Sequence, residues 1–192
     1  MTVAALVLAA GAGARFAGPG HKLDAVLAGR TLLQWSIDHA LAAGVGPVLV
    51  VTPAAGTYAL APEVIEIVND DWAAGQSTSL QAGVRVAIDL AAGAIVVGLG
   101  DQPGVTGAAW RAVAAVDAPV VIATYGGRRG HPVRLRADTW ALLPTTGDEG
   151  ARALLRERPD LVTELPCQGS PSDIDTVEDL RRWQNNSSTS SP

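Results

Sequence analysis

The residues best placed to do chemistry in this sequence begin with a glycine-rich stretch, LAAGAGARFAGPGHKL, from Leu8 to Leu23. Gly11 and Gly13 let a backbone approach an anion closely and point its N–H groups at phosphate oxygens. Arg15 and Lys22 add the cationic side chains that a triphosphate needs. Two common phosphate-binding motifs fail here. The dinucleotide fingerprint wants glycine or alanine where Phe16 stands, and the P-loop wants Gly-Lys-Ser/Thr where His21, Lys22 and Leu23 stand. Further along, the apolar run AIVVGLG ends at Gly100 and is followed at once by Asp101-Gln102-Pro103. A carboxylate at that place suits a hard cation such as Mg²⁺, which usually takes one or two protein carboxylates and completes its shell with water and substrate phosphates. Asp173-Ile174-Asp175-Thr176 offers a second carboxylate from either aspartate. Each motif alone reads as a cap on a turn or helix. Together, after a glycine-rich loop, they favour a metal. His21, His39 and His131 are too scattered for a zinc site, and no Ser-His-Asp order or Cys/His cluster competes for a nucleophilic role.

The elements that must position these residues are short β-branched runs alternating with segments of helical period. Val3–Leu8, Pro47–Thr52, Val64–Val68, Ala94–Leu99 and Val120–Tyr125 are near-continuous apolar runs, as strands buried on both faces require. Leu32–Ala43, with Thr31 before it and Gly44 after it, predicts a capped helix. Ser77–Leu90, Trp110–Val116 and Val177–Trp183 follow as further helices. The alternation predicts an α/β fold, a doubly wound and mostly parallel sheet with helices on both faces. Ligands of such sheets bind outside the carboxyl ends of the strands, where the glycine-rich loop and Asp101 fall.

The 192 residues suit one domain, over 1–184, with a disordered polar tail at 185–192 (NNSSTSSP). Aromatics are only 4% against a hydrophobic fraction of 48%, so Ala, Val, Leu and Ile must build the core. The net charge of −5 argues against a non-specific nucleic-acid partner, which needs a basic surface. The opening apolar run is far shorter than a membrane span and has no basic flank. The single cysteine, Cys167, excludes an intramolecular disulfide framework and fits a reducing cytoplasm.

Six ordered motifs give the chain a specific resemblance. They are LAAGAGARFAGPGHKL, NDDWAAGQSTSLQAGV from Asn69, GLGDQP from Gly98, YGGRRGHPVRL from Tyr125, GDEGARALL from Gly147 and DIDTVEDL from Asp173. The chain resembles the molybdopterin nucleotidyltransferase family, most closely its molybdenum cofactor cytidylyltransferase branch. The resemblance implies a GT-A-like nucleotide-binding fold and transfer of CMP from CTP to a phosphate acceptor such as molybdopterin. It implies that Leu8, Ala9, Ala10, Gly11 and Gly13, with Arg15 and Lys22, hold the nucleotide, and that Lys22, Arg15 and Asp101 serve catalysis. Asp101 and Asp175 would bind Mg²⁺. Ser77, Ser79 and Leu80 would line the nucleotide side. Gly130, His131 and Pro132 would form the acceptor side, with Asp148 and Arg152 near by. A molybdenum enzyme or its chaperone is the further partner implied.

The branch rests on Ala10. The cytidylyl branch resembles LAAG at this loop and the guanylyl branch more often LAGG, and a methyl group there would narrow a base pocket toward a pyrimidine. The sequence also departs from the family pattern. Gly13 replaces a common serine, Pro19-Gly20-His21 lengthens the approach to Lys22, and Asp24 stands where an apolar residue is usual. The alternative is an NAD(P)H-dependent oxidoreductase resembling nicotine blue oxidoreductase. Against it, Thr52 and Pro53 stand where a dinucleotide fold wants an acidic residue for the ribose.

Overall fold

In the computed structural model, which describes residues 2–188 and side chains only to 185, the first strand alternates between two buried faces. This strand, β1 (Val3–Leu8), sends Ala4, Leu6 and Leu8 into one core layer and Ala5 and Val7 into the other. A strand covered on both sides must be apolar at every position, which is why its sequence shows no alternation. A small hairpin follows, β2 (Val26–Leu27) with β3 (Arg30–Thr31), and leads into α1 (Leu32–Ala43). Thr31 and Gln34 cap α1 reciprocally, and Gly44 ends it in the left-handed region.

The chain continues through β4 (Val48–Thr52), β5 (Val64–Val68), α2 (Gln76–Asp89), β6 (Ala94–Leu99) and α3 (Gly107–Ala115). The remaining elements are β7 (Val120–Tyr125), β8 (Arg128–Arg136), α4 (Arg152–Glu157), β9 (Val162–Pro166) and α5 (Val177–Ser188). The main sheet has seven strands in the order β5-β4-β1-β6-β8-β7-β9. Only β8 runs against the others. The α/β fold with a mostly parallel sheet is therefore as expected. On one face Leu6, Leu49 and Ile95 pack with Leu80 and Val84 of α2. On the other, Val7, Val50 and Val121 pack with Leu33 and Ile37 of α1 and with Trp110 and Val113 of α3. Gly98 makes the second layer possible, because a Cβ there would lie 2.3 Å from the Trp110 ring.

Three expectations need correction. Val64–Val68 is an edge strand rather than one buried on both faces, with Ile65 and Val68 exposed. α2 and α3 start earlier than their apolar periodicity suggests, α3 because the Thr106 hydroxyl accepts the Ala109 N–H. The polar tail does not begin at 185: α5 continues to Ser188, and residues 189–192 lie outside the described residues.

The topology explains where chemistry can occur. β1 sits between β4 and β6, both parallel to it, with Leu8 beside Val51 and Leu99. The chain leaves β1 for one side of the sheet and later returns to the other. The carboxyl ends of β1 and β6 therefore open a crevice at a topological switch point. No helix among the described residues is long and apolar enough to cross a membrane.

Candidate active site

Both predicted motifs leave the sheet side by side. The glycine-rich loop departs after Leu8, and Gly100-Asp101 departs after Leu99, held to β1 by the Gly100 N–H donating to the Leu8 carbonyl at 3.0 Å. The third piece arrives from the far end of the chain. Ile174 is fully buried against Leu27 and Leu32, and its N–H donates to the Asp101 carbonyl at 3.0 Å. This anchor fixes the aspartates on either side of it. Asp175 meets the Lys22 ammonium at 2.8 Å and the exposed Arg15 guanidinium at 2.9 Å. Asp173 instead accepts from Gln102 Nε2 at 2.6 Å. Neither caps α5. Thr176 does that, its hydroxyl accepting the Asp179 N–H while Asp179 accepts the Thr176 N–H.

Lys22 is the centre of the charge arrangement. Its ammonium lies 2.6 Å from Asp101 Oδ2, with both side chains mostly buried. Burial works against its charge, but Asp101 and then Asp175 outweigh this and raise its pKa above the ordinary lysine value. Burial, and then the neighbouring Asp101, raise the Asp173 pKa as well, which for a carboxylate works against its charge. Asp101 Oδ1 is buried and has no hydrogen-bond partner. A carboxylate oxygen can only accept, so this atom lacks a donor or a cation. Among the described residues no cluster of three or more His, Cys, Asp or Glu side chains could form a protein-only metal cage. Two carboxylates with one unpartnered oxygen fit a hard cation whose shell is completed by water and phosphate.

Two cavities meet at this point. The first, of about 440 Å³, is lined by Leu8, Ala9, Ala10, Gly11 and Gly13, by Arg15 and Lys22, and by Asp101. All but Asp101, expected as a metal ligand, were expected to hold the nucleotide. Asp175 lines a small recess beside it with Gly13, Arg15 and Lys22. The second cavity, of about 700 Å³, is lined by Leu99, Ile122, Val133 and Leu155, by Arg128, Arg129, Arg152 and Arg156, by His131, and by the carboxylates Glu149 and Asp173, of which Glu149 is paired with Arg156. Gln76, Leu99 and Arg152 line both cavities. Burial, and then the charge of Arg152, lower the His131 pKa to about 4, so the imidazole is neutral near pH 7.

Several assignments shift. Asp148 lines the first cavity, not the acceptor side, and Arg152 belongs to both. Gly130 and His131 line the second cavity, whereas Pro132 does not. Ser77, Ser79 and Leu80 are buried and line neither cavity. Ser79 instead accepts from Asn69 Nδ2 at 3.0 Å, which ties down the loop that brings Trp72 to the cavity wall. Ser77 holds the 147–150 loop through the Gly150 N–H. Gly75 permits this approach: its φ is +112°, and a Cβ there would stand 2.4 Å from the Gly147 backbone. Asp24 is exposed and lines neither cavity.

Trp72, His21 and Gln102 are site residues that sequence reasoning missed. His21 had a signal in its position beside Lys22. Gln102 had one in directly following Asp101. Trp72 had only its place within the Asn69 motif.

The fold is shared with known proteins. The chain is 33% identical to nicotine blue oxidoreductase of Paenarthrobacter nicotinovorans, over 94% of this chain and 95% of that protein. It is 26% identical to a nucleotidyl transferase from Methanothermobacter thermautotroptrophicus, with a TM-score of 0.82 and 99% of both chains covered. A manganese complex of Rv0371c from Mycobacterium tuberculosis is likewise 26% identical, with a TM-score of 0.78 over 96% of this chain and 99% of that one. Residues 5–162 match the MobA-like NTP transferase domain, and the chain belongs to that family of nucleotidyltransferases.

Proposed function

We propose that the protein transfers CMP from CTP to a small phosphorylated acceptor, molybdopterin or molybdenum cofactor, with Mg²⁺ bound by Asp101 and Asp175. The observation that carries this reading is the junction of the two cavities. A glycine-rich loop with Lys22 and Asp101 lines one, four arginines outnumber two carboxylates around apolar residues in the other, and Arg152 stands on both. Such a second cavity suits a phosphate monoester with a largely apolar or heterocyclic body. Its volume falls in the range usual for small-molecule sites, roughly 300–1,000 Å³.

The reaction asks little covalent work of the protein. An acceptor phosphate oxygen attacks the α-phosphorus, the bond to the bridging oxygen breaks, and pyrophosphate leaves with the electron pair. The acceptor is already an anion, so no general base is needed. Catalysis then consists of in-line positioning and of cations against developing charge. Lys22 and Arg15 supply positive charge on the nucleotide side, and Arg152 faces the point where the acceptor meets it. A divalent ion, when bound, would add charge neutralisation at the phosphate oxygens. The manganese-bound structural relative supports a divalent metal in this fold.

CTP is favoured because Ala10, within LAAG, is among the residues that line the nucleotide cavity. The product would pass to a molybdenum enzyme or its chaperone, in a cytoplasm whose reducing conditions suit the lone Cys167. The test is to incubate the protein with Mg²⁺, each NTP and molybdopterin-type acceptors while following pyrophosphate release. Absence of release with every NTP would overturn the proposal.

One observation favours a second reading, NAD(P)H-dependent reduction: the 33% identity to a protein named as an oxidoreductase. At the end of β4, however, Thr52 donates to Glu66 instead of presenting a carboxylate to a ribose. The Asp101–Lys22–Asp175 cluster also has no part in hydride transfer. Oxidation of NADH or NADPH by the protein with a nicotine-derived pigment, followed by absorbance, decides between the two.

A further inference from the structure

His21, which lines the nucleotide cavity, has three polar contacts, two with residues of the same lining and one with Tyr58 behind it. Its Nε2 lies 2.8 Å from the Gly11 carbonyl oxygen. Its Nδ1 accepts the Leu23 N–H at 3.2 Å and faces the Tyr58 hydroxyl at 3.1 Å. A nitrogen that accepts a backbone N–H cannot carry a proton, so the proton sits on Nε2 and is donated to Gly11. Tyr58 is buried and reaches in from the loop after β4, and its hydroxyl also lies 3.4 Å from the Ala9 carbonyl. Burial, with a smaller effect of Asp24, raises the Tyr58 pKa to about 12, which keeps that hydroxyl protonated.

We propose that His21, backed by Tyr58, is a positioning residue of the transferase site. It neutralises the Gly11 carbonyl in the phosphate-binding loop and sets the distance from that loop to Lys22. The proposal rests on the nucleotide reading of the cavity. A glycine-rich loop binds anions through its N–H groups, and any carbonyl left facing the anion opposes this. The imidazole N–H satisfies the Gly11 carbonyl, while the other ring nitrogen caps the short turn on which Lys22 sits. The ring therefore couples loop and lysine as one rigid unit.

Two departures from the family pattern then become one feature. Gly13 has φ +58°, and a Cβ there would lie 3.0 Å from His21 Nε2 and 3.2 Å from Lys22 Cβ. A serine at position 13 would crowd the imidazole. Gly13 makes room for a histidine that the longer Pro19-Gly20 approach delivers.

The experiment uses the full chain and reads CTP affinity by calorimetry, with Mg²⁺ present, separately from single-turnover rate. His21→Phe keeps a ring but removes all three polar contacts. Losing the Gly11 contact should weaken CTP binding on the order of tenfold, and losing the contacts of Nδ1, which hold the Lys22 turn, should slow the reaction. His21→Gln retains a donor near the Nε2 position and should recover the affinity. His21→Asn retains an acceptor near Nδ1 and should recover the rate, because that half holds the Lys22 turn. A merely structural role would move affinity, rate and melting temperature together in all three variants, and that result would overturn the proposal. So would His21→Phe binding CTP as tightly as the unmutated protein. If the unmutated protein binds no NTP, the nucleotide reading itself falls and takes this proposal with it.

Discussion

The Lys22 ammonium stands 2.6 Å from Asp101, at the place where a divalent ion shared by Asp101 and Asp175 would be expected. One side chain therefore bridges two carboxylates from distant parts of the chain that would otherwise repel each other. A lysine so placed has two possible partners, the carboxylates in the free protein and the phosphates in the complex. Removing one member of such a mostly buried ion pair leaves an uncompensated charge, which commonly costs about 3–5 kcal/mol.

Lys22→Met should accordingly lower the melting temperature in the absence of metal, and Mn²⁺ should restore much of the loss. The same variant should bind CTP more weakly and slow the chemical step, since a cation near the α-phosphate stabilises charge in the transition state. Thermal unfolding with and without Mn²⁺ reads the first effect, and single-turnover kinetics read the second. Unchanged stability, affinity and rate would reduce Lys22 to an incidental loop residue.

The two carboxylates make a separate prediction. Asp101→Asn and Asp175→Asn should each reduce turnover on the order of 10²–10³, while Asp173→Asn should be milder, because Asp173 faces Gln102 and not Lys22. Mn²⁺ binding followed by electron paramagnetic resonance gives a readout independent of activity. A greater loss from Asp173→Asn than from Asp175→Asn would reverse the assignment.

What was legible in the sequence follows from the physics of each element. The runs at Val3–Leu8, Ala94–Leu99 and Val120–Tyr125 match the observed strands residue for residue, because strands covered on both faces must be apolar throughout. β8 was not legible in the same way. Its sequence, RRGHPVRLR, mixes arginines, a glycine and a proline, and part of it lines the second cavity. A signal was present, however. Gly126 and Gly127 both have positive φ and form the two-residue turn that a β7–β8 hairpin needs. The site shows the same division. Residues that follow a strand end, such as Gly11 and Asp101, were found from order along the chain. His21 and Trp72 were not, since their roles depend on loops whose closure no periodicity encodes.

His131 gives a prediction about acid stability. Its pKa falls from 6.5 to about 4 through burial, with Arg152 adding to the shift. Between those values the unfolded chain binds more protons than the folded one. The stability this group contributes is thus fully present above about pH 6.5 and is lost as pH falls toward 4. At about 1.4 kcal/mol per unit the loss is roughly 3 kcal/mol. His131→Gln should therefore flatten the decline in stability over that window. Denaturant unfolding at several pH values from 4 to 7 measures it, and equal slopes for the two proteins would rule the effect out.

Base choice is the finest discrimination asked of this site. Ala10 lines the nucleotide cavity at the carboxyl end of β1, and its methyl group is the only difference between LAAG and the LAGG of the guanylyl branch. A single methyl in a pocket discriminates by only about 1–3 kcal/mol. Ala10 alone therefore cannot exclude a purine, and hydrogen bonds from the backbone of the same loop must supply the remainder. Ala10→Gly should relax a preference for CTP over GTP without inverting it, lowering the ratio of specificity constants by roughly 10–100-fold at most. The measurement is that ratio in both proteins with a common acceptor. Equal use of CTP and GTP by the unmutated protein would remove the cytidylyl assignment, and inversion by Ala10→Gly would mean that the methyl group, not the backbone, carries the whole choice.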